Sequence, residues 1–243
     1  VQVRYDIRGG VMNRVTHRVH AVEGVSFDIR AGETFSLVGE SGCCKSTIAR
    51  AIVGVVPHTG TINIAGQKVG IMTAQDRLQL SAVTQIVFQD PMAALDSRMT
   101  VGEQIAEPLL IHGQGDALSH RAKAGVLMEK VGLTQAQLDN YPHEFSGGQR
   151  QRICIARALA LTPKLIIADE SVSALDVSVQ AQVLNLLEDL KEKFGLTLVF
   201  IAHDLAVVKN ISDRVAVMYL GKLCEVASSD DLYARPAHPY TNV

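Results

Sequence analysis

The stretch Gly39-Glu-Ser-Gly-Cys-Cys-Lys-Ser-Thr47, following the apolar run Thr34-Phe-Ser-Leu-Val38, constrains this chain more than any other. It matches the phosphate-loop pattern G-x-x-x-x-G-K-[ST] at Gly39, Lys45 and Ser46, with Cys44 in the second glycine position. The chemistry of the pattern is that of a strand that ends, a backbone that turns its N–H groups inward, and a helix that begins with its positive dipole end facing the same space. Residues 39–47, including Ser41, Gly42, Cys43 and Thr47, therefore read as a cradle for an anionic phosphate chain. Lys45 would place a point charge on the β- and γ-phosphates, and the Ser46 hydroxyl would bind Mg2+. Glycine in the second position permits positive φ and close approach to phosphate oxygens. A cysteine held there costs about 1–2 kcal/mol, which predicts about a tenfold loss if the loop opens to relieve it.

Composition narrows the setting. A chain of 243 residues is ample for a sizeable core. A net charge of −2 gives no global pull toward nucleic acid or anionic membrane. Cys43, Cys44, Cys154 and Cys224 follow no metal-ligand or secreted-framework spacing, which points to a reducing, cytosolic setting. No apolar run approaches the roughly 18 residues of a membrane span. The first residues are too charged for a signal peptide.

Strands are expected over Val1 to Tyr5 and Ala21 to Ile29, the second on the alternation of Val25, Phe27 and Ile29 against Ser26 and Asp28. The Arg- and His-bearing segment between them, with its Gly9-Gly10 turn, reads as a solvated hairpin, because no aromatic side chains interleave to stack bases. Tyr5 either stacks on a purine or is a plain strand residue. A helix is predicted over Ser46 to Val53, with strands over Thr59 to Ile64 and Gln85 to Phe88. Thr100 to about Lys130 is helical, broken at His112-Gly-Gln-Gly115. Ser146 with Gln149 three residues on is a capping-box pattern opening a helix that runs to Leu161. Leu165-Ile-Ile-Ala168 is a buried-strand run ending in Asp169-Glu170, and open α/β sheets bind ligands at that end of their strands. Ser178 to Phe194 is an amphipathic helix, with Val179, Val183, Leu186, Leu187, Leu190 and Phe194 on one face. A strand from Leu196 to Ile201 delivers Ala202-His203-Asp204; a helix over Leu205 to Ile211 and strands over Val215 to Tyr219 and Leu223 to Val226 follow. Strands alternating with helices indicate an α/β sheet.

These motifs together resemble the ATP-binding-cassette (ABC) ATPase family, in the family's order and over nearly the whole chain. The phosphate loop is followed by Gln89 in Val-Phe-Gln-Asp-Pro91 and the signature Phe-Ser-Gly-Gly-Gln149. The Walker B run Leu165 to Asp169 with Glu170, the loop Ser173-Ala-Leu-Asp176 and His203 come after. Within the family the chain is similar to the peptide/nickel importer branch, on Phe88 to Val101, Tyr141 to Arg152 and the ending Ala-His-Pro-Tyr-Thr241. The resemblance implies a P-loop NTPase of ABC type: one domain over 1–243, with a RecA-like core sheet, an antiparallel β subdomain and a helical signature subdomain. It places the core at 1–90 and 162–243 and the helical subdomain at about 91–161. The family's C-terminal extension is expected to be absent, and the chain reads as a trimmed piece.

The resemblance also implies roles. ATP would lie on Gly39 to Thr47. Mg2+ would be held by Ser46, Gln89 and, through water, Asp169; Glu170 would polarise the attacking water, and His203 would contact the γ-phosphate. Ser146, Gly147, Gly148 and Gln149 would cap the ATP of a second cassette packed head to tail, and Asp176 would cross that interface. Permease subunits would be the membrane partners, with a solute-binding protein acting indirectly and no nucleic acid. The cassette would sit in the cytoplasm, peripheral on the inner face of the membrane. Ser171 stands where the family has proline after the catalytic Glu. Two other classes stay open: a nucleic-acid-associated ABC ATPase, marked by salt-dependent nucleic-acid binding, and a catalytically silent cassette, marked by failure of single-turnover hydrolysis.

Overall fold

A computed structural model describes residues 1–9, 14–40, 42–239 and 241, and the side chains of these except 6–9 and 14–18. The chain forms two compact units, Val1–Leu80 with Val199–Val243 and Ser81–Leu198.

The first unit begins with an antiparallel pair, β1 (Val3–Gly9) and β2 (Arg14–Val22), running from Val3 opposite Val22 to Gly9 opposite Arg14 with register shifts after Val3 and after Ile7. The strand expected over Ala21 to Ile29 is thus displaced: β2 ends at Val22, and residues 23–33 form no strand. The alternation that suggested it is real in burial, with Val25 buried, Phe27 and Ile29 half-buried, and Ser26 and Asp28 exposed. Gly24 at φ +66° interrupts the extended chain, and Phe27 stacks on Phe35 with ring centroids 5.0 Å apart. Side-chain packing, rather than a ladder, sets the pattern there.

β3 (Thr34–Val38) is buried along its whole length, its Thr34 and Ser36 included, and pairs in parallel with a later strand. Its first amide donates to Asp213 Oδ2 at 2.7 Å. α1 (Lys45–Ile52) follows and buries Ile48, Ala49, Ala51 and Ile52. β4 (Ile62–Ile64) and β5 (Gln67–Val69) form a tight hairpin whose turn, Ala65 and Gly66, has positive φ at both residues. Thr59, expected in β4, instead makes an isolated bridge to Gln2. α2 (Ala74–Val83) was not anticipated: only Leu80 is buried, so no apolar stripe announces it.

In the second unit β6 (Thr84–Val87) receives α3 (Pro91–Ala94), which Asp90 caps through Met92 N–H at 2.8 Å. α4 (Val101–Ile111) and α5 (Ala117–Lys130) open on capping boxes at Thr100 and Asp116, and the expected break lies between them. α6 (Gly147–Leu159) is capped by Ser146, as the pattern predicts. β7 (Leu165–Asp169) lies parallel to β6, with Thr84 opposite Leu165 and Val87 opposite Ala168. α7 (Val177–Phe194) buries Val183, Leu187 and Leu190, with Val179, Leu186 and Phe194 half-buried on the same face. Lys130 Nζ stands 4.4 Å above the Phe194 ring centroid.

β8 (Thr197–Ala202) carries the chain back into the first unit, where α8 (Leu205–Ile211) and β9 (Arg214–Tyr219) follow. β9 is the parallel partner of β3, from Phe35 opposite Arg214 to Val38 opposite Val217. β10 (Lys222–Ser228) folds back antiparallel on β9, and α9 (Ser229–Ala234) closes the unit. Beyond it, the Glu225 carboxylate accepts from the amides of Ala237 and His238 at 3.0 and 3.1 Å and from Thr241 Oγ1 at 3.1 Å. The resulting architecture is α/β: parallel pairing around β3 and β7, with antiparallel hairpins in the first unit.

Candidate functional site

The first unit carries the phosphate loop. Gly39 follows β3 so closely under β9 that a Cβ there would meet the Met218 carbonyl oxygen at 2.3 Å and Cys43 Sγ at 2.7 Å; only glycine fits. Gly42 has φ +86° and open space where a side chain would stand. Ser41 lies outside the described residues. Cys44 adopts φ +69° and ψ +26°, the left-handed conformation that the motif's glycine would take freely. Its Sγ turns back to the Gly42 carbonyl at 3.4 Å, and its own carbonyl accepts the amides of Thr47 and Ile48 as α1 begins. The loop thus keeps its turn with cysteine in place, at a strain of about 1–2 kcal/mol.

Lys45 is buried, 3% exposed, and the loop's own carbonyl dipoles hold its ammonium: Nζ donates to Gly39 O at 2.7 Å and Glu40 O at 3.0 Å. Cys43 Sγ lies 3.8 Å away. Burial pushes the Cys43 thiol up against the pull of Lys45, so it stays protonated near neutral pH. Ser46 and Thr47 are half-buried in the first turn of α1. In the same unit Tyr5 stands on β1 opposite Val19, 40% exposed. His203 is exposed after β8, where Asp204 caps α8 through Ala206 N–H at 2.8 Å.

The second unit carries the carboxylates. β7 ends in Asp169, buried at 4% exposure, and the chain turns sharply at Glu170, whose φ is +47°. Gln89 Nε2 donates to Glu170 Oε2 at 3.0 Å, joining two residues 81 positions apart. Ser173, in the turn after Glu170, lies 3.4 Å from the same Nε2. Ser171 is 2% exposed and its Oγ has no hydrogen-bond partner, in the position where the resemblance leads one to expect proline. Cys154 is buried and its thiol is pushed up to about 12 by that burial, which fits an inert packing residue.

The signature segment forms its capping box: Ser146 N–H donates to Gln149 Oε1 at 2.9 Å, and Gln149 N–H to Ser146 Oγ at 3.4 Å. Ser146 and Gly147 are exposed at the start of α6. Gly148 has a packing reason that sequence reasoning missed, since a Cβ there would meet Val179 Cγ1 of α7 at 2.4 Å. Gly148→Ala is expected to lose about 1–3 kcal/mol of stability by overpacking, and Val179→Ala in the same chain to restore most of it. Urea denaturation of the two variants checks this; an unchanged midpoint for the single variant would show that Gly148 is not needed for packing. Asp176 is the exposed N-cap residue of α7 and makes no side-chain cap bond. Each candidate metal ligand named from the sequence is a hard oxygen donor, of the kind that suits Mg2+ rather than a softer metal: the Ser46 hydroxyl in the first unit, and the Gln89 amide and Asp169 carboxylate in the second.

Comparison with known proteins agrees with this chemistry. A family model described as ABC transporter matches residues 22–173. The glutathione import ATP-binding protein GsiA of Pectobacterium atrosepticum is 53% identical over 239 residues, covering 98% of this chain and 38% of the relative. Its counterpart from Salmonella typhimurium is 55% identical over 241 residues, with the same two coverages. The chain therefore spans 38% of the length of these curated relatives. Among solved structures, a dimeric ATP-binding cassette in a post-hydrolysis state bound to ADP and Pi superposes with a TM-score of 0.82 at 27% identity, covering 94% of this chain and 96% of that one. The cbiO1 protein of Clostridium perfringens, part of the ABC transporter complex cbiONQ, shares the fold with a TM-score of 0.80 at 24% identity, covering 96% and 90%.

Proposed function

This chain belongs to the ABC transporter family, and we propose that it is an ATP-binding, ATP-hydrolysing cassette that energises an importer of peptides or related small solutes. The observation that carries the reading is the Gln89–Glu170 hydrogen bond: two side chains far apart in sequence meet at the end of a buried parallel strand. Open α/β sheets bind their ligands at such ends. The importer class follows from the relatives, which are named for glutathione import.

In this reading the amides of residues 39–47 cradle the β- and γ-phosphates, and Lys45 exchanges carbonyl oxygens for phosphate oxygens. Tyr5 offers an exposed ring to the base. Ser46, Gln89 and Asp169 would hold Mg2+, which when bound supplies positive charge to the β- and γ-phosphate oxygens. Glu170 accepts a proton from the attacking water, and His203 contacts the γ-phosphate. Ser146, Gly147, Gly148, Gln149 and Asp176 serve a second cassette, packed head to tail. Phosphoryl transfer asks mainly for positioning and charge stabilisation, which is why the participating residues come from separate segments. Permease subunits receive the closure of the pair, and a solute-binding protein acts through them, with the cassette on the cytoplasmic face of the membrane. No helix among the described residues is long and apolar enough to cross a membrane.

Calorimetry with Mg2+ and a non-hydrolysable ATP analogue tests the reading. Saturable binding is expected, with no salt-dependent binding of single-stranded nucleic acid alongside it. Failure of the analogue to bind both this chain and its Cys44→Gly variant would overturn it.

A further inference from the structure

The Gln89–Glu170 hydrogen bond is flanked by a second contact, from Gln89 Nε2 to Ser173 Oγ. The turn after β7 brings Ser173 back onto Glu170: its amide donates to the Glu170 carbonyl at 3.1 Å, and its Oγ donates to the same oxygen at 2.9 Å. With its proton committed there, the Ser173 hydroxyl offers only lone pairs outward, and Gln89 Nε2 lies 3.4 Å from them. That nitrogen has two hydrogens. One is taken by the Glu170 carboxylate at 3.0 Å, the other faces Ser173 Oγ. A reversed amide would set its carbonyl oxygen against a carboxylate oxygen and a hydroxyl with no proton to give, which is repulsive on both counts. Ser173, Gln89 and Glu170 all lie in the second unit, so the arrangement is complete within it.

We propose that Ser173 is a positioning residue, whose hydroxyl orients the Gln89 amide so that Nε2 restrains the Glu170 carboxylate while Oε1 faces away, available to a hard cation. The proposal rests on the ATPase reading for its catalytic consequence, but the orientation itself does not. Sequence reading saw Ser173 only as part of a loop motif. The turn at Glu170, with φ +47°, is what aims the hydroxyl at Gln89. Ser173 and Gln89 are both exposed, so substitution at 173 leaves the core alone.

The test uses Ser173→Ala and Ser173→Thr in the full chain, with two readouts. The first is the side-chain amide signal of Gln89 in nucleotide-free protein by 15N NMR, assigned by its loss in Gln89→Ala. The alanine variant is expected to shift and sharpen that pair of proton signals, and the threonine variant to keep them. The second is steady-state ATP hydrolysis: alanine is expected to lower kcat about three- to tenfold, as befits one weak hydrogen bond, with KM for ATP unchanged. Threonine should restore kcat to within about twofold. Unmoved amide signals in Ser173→Ala, an unchanged kcat in an active enzyme, or a threonine variant as impaired as alanine would each overturn the proposal. If the unsubstituted chain hydrolyses no ATP, the ATPase reading fails, and the amide signals alone decide for or against the role of Ser173.

Discussion

Cys44→Gly is expected to tighten ATP binding by about tenfold. The loop holds Cys44 at φ +69° and ψ +26°, where a non-glycine residue costs about 1–2 kcal/mol. The cradle is therefore attainable with cysteine in place, and ATP binding should be weakened rather than abolished. In solution the strain favours relaxed loop conformers over the cradle. The apparent affinity falls with the competent fraction, and about 1.4 kcal/mol corresponds to tenfold. Glycine enters the left-handed region without penalty and should recover that factor. Cys44→Ala separates backbone from side chain, because alanine keeps the strain but removes Sγ, which turns toward Gly42 O at 3.4 Å. An alanine variant that binds like cysteine assigns the effect to the backbone, and one that binds like glycine assigns it to thiol crowding. Calorimetric titration of the three forms with the same ATP analogue checks this, and equal affinity for the cysteine and glycine forms would sink it.

Legibility differed by the kind of physics each element depends on. β7 reads directly because a strand covered on both faces leaves an uninterrupted apolar run, β3 because its β-prone run leads straight into the phosphate-loop pattern, and α7 because Val183, Leu187 and Leu190 recur at helical spacing. The helix-opening box at Ser146 and Gln149 is local chemistry, so its spacing sufficed. Residues 23–33 misled because period-two burial there comes from Phe27 stacking on Phe35, without a partner strand. α2 gave no signal, since a helix burying only Leu80 has no stripe to read. The candidate site divides in the same way. The left-handed turn at Cys44 follows from a contiguous motif. The meeting of Gln89 with Glu170 spans 81 positions, and only the family resemblance placed those two residues at one site beforehand. The contact of Gly148 with Val179 and the buried, unpartnered Ser171 hydroxyl are tertiary facts that no spacing encodes.

Glu170→Gln should lower hydrolysis by about 10²- to 10⁴-fold, the usual contribution of a positioned general base, while leaving ATP binding intact. Glutamine has the same shape and keeps an acceptor oxygen for Gln89 Nε2, so the 3.0 Å contact and the turn at φ +47° survive the change. What is lost is the negative charge that takes a proton from water in the proposed mechanism. Asp169→Asn makes the contrast: Asp169 is buried at the strand end, and in the proposed reading its carboxylate would help hold Mg2+, so that variant should lose Mg2+-dependent nucleotide affinity as well as turnover. Phosphate release under multiple-turnover conditions, paired with calorimetry on each variant in the Cys44→Gly background, reads both effects without the loop strain intervening. A Glu170→Gln form retaining more than about a tenth of the parent kcat would remove Glu170 from the proton-accepting role, since general-base catalysis contributes far more than tenfold. Equal losses of affinity in both variants would instead place Glu170 among the groups that bind the nucleotide or its metal.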